Sequence, residues 1–108
     1  HKTALGATES VTWEYVEDTL SLVETLKREN IKVLAIEQTE NSTKLNTFFP
    51  EKSKKYAIVM GNEVKGVQQE VVNASDLCIE IPQLGTKHSL NISVTTGIVL
   101  WDLSQKLR

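Results

Sequence analysis

The chain has 108 residues, 40% of them hydrophobic and 24% charged, which is enough for one small domain and its core but not for two domains. Its formal net charge of -2 argues against a dedicated nucleic-acid-binding domain carrying a basic stripe. One cysteine and two histidines rule out an internal disulfide and a Cys/His zinc cluster within the chain. The lone Cys78 fits a reducing cytoplasm, and no apolar run approaches the ~20 residues of a membrane span.

Changes in hydrophobic periodicity set the order of elements. His1 to Ser10 reads as irregular. Val16, Leu20, Val23 and Leu26 recur at helical spacing, predicting a helix over about Val16 to Glu29. Acidic Glu17 and Asp18 stand near its start and Lys27 and Arg28 near its end, as the helix dipole favours, and Asn30 is its expected stop. Ile31 to Ile36 is short, apolar and partly β-branched, a strand. The polar stretch Glu37 to Thr47 is a loop with room for one helical turn, closed by Phe48, Phe49 and Pro50. Tyr56 to Met60 is a second strand, apolar throughout as expected for a strand covered on both faces of a parallel sheet. A short helix follows over about Val67 to Asn73. Leu77 to Ile81 is a third strand, ended by Pro82. The last helix spans about Ser89 to Lys106. This order predicts an α/β domain with a parallel sheet flanked by helices, residues 1–108 forming one unit.

Two loops carry possible chemistry. Gly61-Asn62-Glu63-Val64-Lys65-Gly66 joins a strand to a helix, where open α/β sheets place ligands. It lacks the Gly-Lys-Ser/Thr ending of a Walker A loop and the dinucleotide G-x-G-x-x-G. Its glycines serve either turn geometry alone or close backbone approach to a ligand. Glu63 is either solvated or paired with a cation.

In the second loop, Pro82 and Gly85 bracket a tight turn before Ser89 and Asn91. Those two residues either cap the last helix or, with its free backbone N–H groups, hold an anion. His88 is a candidate base, phosphate contact or plain loop residue. A Ser89–His88 hydrolase pair fails, because sequence neighbours rarely face each other and no G-x-S-x-G elbow is present.

Along the last helix, Leu90, Val94, Ile98 and Trp101 form an apolar stripe that Ile92, Val99 and Leu103 widen. A helix apolar most of the way round is buried on more than one side. It is either internal or covered by a second subunit, with Trp101 as anchor. Gly97 costs ~1 kcal/mol in mid-helix, so a compensating close contact is expected.

Together the loops resemble the SpoU (TrmH) class of SPOUT RNA methyltransferases. That family carries G-N-E-x-x-G after an apolar strand and then I-P-x-x-G-x-x-x-S-L-N. Here they stand as Gly61-Asn62-Glu63 with Gly66, and Ile81-Pro82 with Gly85 and Ser89-Leu90-Asn91. The resemblance is weak from Lys2 to Thr47 and strong from Ala57 to Asp102.

The resemblance implies a C-terminal trefoil knot, a topology that sequence physics alone would not propose. It implies S-adenosylmethionine as cofactor, bound by backbone at Gly61, Ile81 and Leu90, with Ile36 to Gln38 lining the same pocket. Glu63, Ser89 and Asn91 are the implied catalytic residues, acting on a tRNA or rRNA ribose beside an arginine of an earlier motif. Members work as homodimers through the last helix. Their first motif, N-x-x-A-x-x-R, is not found here, so the chain is expected to be the C-terminal part of a methyltransferase domain, starting after that motif. The alternative is a non-catalytic dimerisation or cofactor-binding module. With RNA as substrate, much of the phosphate-neutralising charge is expected elsewhere, on further sequence or a second subunit.

Overall fold

Asp18 caps the first long helix, α1 (Thr19–Arg28), its carboxylate accepting the Ser21 backbone N–H at 3.2 Å. Lys27 and Arg28 occupy the last turn, and the chain leaves the helix through Asn30 at φ 64, a left-handed conformation that asparagine tolerates well. The computed structural model describes residues 2, 3, 13, 14, 18–61, 66–82 and 92–108. The expected first turn of α1 at Val16 and Glu17 lies outside them.

Two short strands, β1 (Lys2–Thr3) and β2 (Trp13–Glu14), pair antiparallel. This corrects the irregular reading of His1 to Ser10 at Lys2 and Thr3 alone, the rest of that segment lying outside the described residues: a two-residue ladder is too short to leave a periodicity. After α1 comes β3 (Ile31–Ile36), with the bounds expected. Within the polar stretch Glu37 to Thr47 the chain makes β4 (Thr43–Lys44) and the anticipated helical turn, a 3-10 turn at Leu45–Thr47. Then follow β5 (Lys55–Met60), α2 (Gln69–Ala74), β6 (Leu77–Glu80) and α3 (Ile92–Leu107).

Four of these strands form one parallel sheet in the order β4-β6-β3-β5, so the α/β class and parallel sheet are as predicted. Alternate side chains of β3 enter two cores. Val33 and Ala35 pack with Val23 of α1 and Val71 of α2. Leu34 packs with Ile79 of β6 and with Val99 and Leu103 of α3. Helices therefore cover both faces, and the central run Val33 to Ala35 of β3 is fully buried. The expected cover on both faces of β5 is partial, Val59 packing against the first core and Tyr56 and Ile58 against the second. β5 is an edge strand among those described, and Tyr56 to Met60 are only half-buried.

Polar links fix the ends of the sheet. Asp76 donates its N–H to the Val33 carbonyl and accepts the Val33 N–H on its carboxylate, both at 2.8 Å. Lys106 of α3 donates to the carbonyls of Leu45 at 2.6 Å and Phe48 at 2.8 Å, and pairs with Asp102 at 2.7 Å.

The fully internal reading of the last helix fails. Thr96, Val99 and Leu103 are buried, but Val94, Ile98 and Trp101 are 50%, 38% and 66% exposed. Gly97 lies on this open face with nothing near its missing side chain. The close contact expected there is therefore not made within the described chain. No helix among the described residues is long and apolar enough to cross a membrane. Threading into a knot, and the Ser89 cap, concern residues 83–91, outside those described.

Candidate active site at the carboxyl ends of the strands

Ile36, the last residue of β3, lies between Met60 of β5 and Ile79 of β6 in register. Both candidate loops therefore leave the sheet at one edge, their first residues about 10 Å apart across three strands. Gly61 follows Met60 directly, and Ile81, half-buried, stands two residues beyond Ile79. This is the carboxyl edge, where open α/β sheets bind ligands.

The first turn closes tightly on itself. A side chain at Gly61 would land on the backbone of Gly66 and Val67, and one at Gly66 on the Glu37 carboxylate. Gly66 also has φ 69, a conformation that costs other residues ~1–2 kcal/mol. Both glycines are thus required by geometry. Glu37 accepts the backbone N–H of Val67 at 2.9 Å and that of Gln38 at 3.2 Å, while its own N–H donates to the Ile79 carbonyl at 3.0 Å. One residue thereby joins the ends of β3 and β6 to the glycine turn. Ile36 to Gln38 were expected only to line the pocket, and this lashing role was not read. A carboxylate directly after a buried strand was its one visible signal.

On the other side of β3, the Glu80 carboxylate contacts the Ser42 hydroxyl, which lies 2.9 Å from the Thr39 carbonyl. Of the predicted site residues, Gly61 and Ile81 are thus brought to one edge of the sheet. Glu63, Ser89, Leu90 and Asn91 lie outside the described residues. No cluster of metal-ligating side chains occurs among the described residues.

A profile of the SpoU rRNA Methylase family matches residues 1–101. The chain belongs to the SpoU family. It is 30% identical over 104 residues to a tRNA (guanosine(18)-2'-O)-methyltransferase of Borreliella burgdorferi, covering 96% of this chain and 47% of that protein. To the 23S rRNA (guanosine-2'-O-)-methyltransferase RlmB of Neisseria meningitidis it is 31% identical over 99 residues, covering 92% and 38%. Among solved structures, the TrmH/SpoU tRNA modifying enzyme of A. aeolicus superposes with a TM-score of 0.73 at 30% identity, over 84% of this chain and 45% of that one. The SpoU chain described here thus spans less than half the length of these relatives.

Proposed function

We propose that this SpoU-family chain is the cofactor-binding part of an S-adenosylmethionine-dependent enzyme that methylates the ribose 2'-oxygen of tRNA or rRNA. The observation that carries the reading is the departure of both family loops from one sheet edge, on strands bound to a common neighbour. Membership of the family and the printed activities of its relatives support it.

The residues fit the cofactor's chemistry. Half-buried Ile36 and Ile81 offer apolar walls to an adenosyl group, and the backbone leaving β5 and β6 at the same edge offers it donors and acceptors. When bound, S-adenosylmethionine supplies an electrophilic methyl on a sulfonium. Gly61, Ile81 and Leu90 are the proposed adenosyl contacts. Ser89 and Asn91 orient the ribose or its phosphate, and Glu63 holds a cation, the arginine of the earlier family motif. Their contribution is alignment of the attacking oxygen, which supplies up to about 7–11 kcal/mol in well-oriented reactions. A trefoil knot brings the second loop to the first in this reading, and catalysis takes place in the cytoplasm.

The proposed enzyme is a homodimer through α3. Val94, Gly97, Ile98 and Trp101 follow helical spacing on one open apolar face, and the glycine lets a second helix approach closely.

Incubation of the full-length protein with methyl-labelled S-adenosylmethionine and tRNA or rRNA, followed by digestion to nucleosides, tests the activity. Label is expected in 2'-O-methyl nucleosides. Label on a base, or none, refutes it.

A further inference from the structure

At the opposite end of the sheet the charge balance of the chain reverses. A cleft of about 360 Å³ opens at the amino ends of β3 and β5, lined by Lys27, Lys32, Lys54 and Lys55 with Asn30 and Asp76. Four of the chain's twelve cationic residues are gathered there, so the overall acidic charge misdescribes this face. They come from three separate places in the sequence: the end of α1, the start of β3 and the turn entering β5.

Asp76 in the lining and Glu51 beside Lys54 offset part of this positive charge. Asp76 spends one carboxylate oxygen on the Val33 N–H. Glu51 pairs with Lys54 at 3.2 Å, but both are exposed, so the pair is screened and easily exchanged. Lys27 also has a structural duty, since its ammonium donates to the Ala74 carbonyl at 2.8 Å at the end of α2. Lys32, Lys54 and Lys55 remain to meet an outside anion.

We propose that this cleft is a second RNA contact, binding the phosphate backbone of the substrate away from the methyl-transfer site. The inference rests on the RNA methyltransferase reading above. A lining of lysine ammonium groups, without an aromatic platform or a bidentate arginine among the described residues, suits sequence-independent contact with phosphates rather than base readout. β3 and β5 have six residues each, so the cleft lies about 20 Å from the carboxyl edge. A single arm of folded RNA spans that distance. The cleft therefore supplies, within this chain, part of the phosphate-neutralising charge that the sequence assigned elsewhere.

The test measures binding of bulk tRNA and of total rRNA to the full-length protein against salt concentration. Lys32→Ala/Lys54→Ala/Lys55→Ala should weaken binding about tenfold and flatten the slope of log K against log salt by roughly two to three. The surface pair Lys54→Glu/Lys55→Glu, which leaves half-buried Lys32 in place, should weaken it as well, and arginine at the three positions should restore it. Affinity for S-adenosylhomocysteine should not change in any variant. Unchanged RNA affinity and slope in a protein that still methylates RNA overturns the cleft alone. A protein that neither binds nor methylates RNA overturns the functional reading together with it. Loss of binding to polyglutamate with RNA affinity intact would assign the cleft to an acidic protein and overturn the proposal.

Discussion

The carboxylate of Glu37 accepts the backbone N–H of Val67 at 2.9 Å, across the turn that a methyltransferase would fold around its cofactor. The bond ties the end of a buried strand to the exit of the glycine loop. Glu37→Ala should therefore weaken S-adenosylhomocysteine binding several-fold and cost ~1–3 kcal/mol of stability, as loss of a charged acceptor does. Glu37→Gln, which keeps an acceptor oxygen, should recover most of both. Calorimetric titration and thermal melts of the two variants check this.

Gly66→Ala meets two obstacles at once, its positive φ and the Glu37 carboxylate. A loss of about 2 kcal/mol is expected, the sum of strain and a displaced side chain. In Gly61→Ala the new methyl meets backbone instead, which cannot swing aside. The Gly61 variant should melt lower than the Gly66 variant, and the reverse order would contradict the packing described.

Lys106 pairs with Asp102 at 2.7 Å, with side chains 14% and 25% exposed, while holding two carbonyls of the segment before Pro50. Lys106→Met should cost roughly 2–3 kcal/mol, somewhat less than removing one partner of a fully buried pair. Adding Asp102→Leu should recover part of that loss, because the stranded carboxylate is gone. Urea titration of the single and double variants measures the coupling.

Trp101 is 66% exposed on the open face of α3. If that face joins two copies, Trp101→Ala and Gly97→Leu should each shift the protein towards monomer in sedimentation. At low concentration the Trp101→Ala melt should change little, since that side chain supports no described core, whereas Gly97→Leu should raise it, a mid-helix glycine costing ~1 kcal/mol.

The sequence made legible what depends on local pattern. β3 has the predicted bounds because its apolar run is flanked by Asn30 and a polar stretch. Asn30 was readable as a stop because so few residues adopt a positive φ cheaply. Other features arise only from pairing across the chain. Thr43 and Lys44 become a strand by joining Ile79 and Glu80 on β6, and nothing in two polar residues signals that. The edge position of β5 depends on strand order, and the basic cleft on lysines far apart in sequence. At the candidate site, Gly61 and Ile81 were singled out by their motifs as proposed cofactor contacts, whereas the lash from Glu37 spans 30 positions and its only local trace is a carboxylate directly after a buried strand.

Calorimetric titration of the full-length protein with S-adenosylhomocysteine most directly probes whether the two turns make one adenosyl pocket. Saturable binding at one site per chain is predicted, with ATP and GTP failing to compete. No heat with S-adenosylhomocysteine, or equal binding of the nucleotides, would contradict the account.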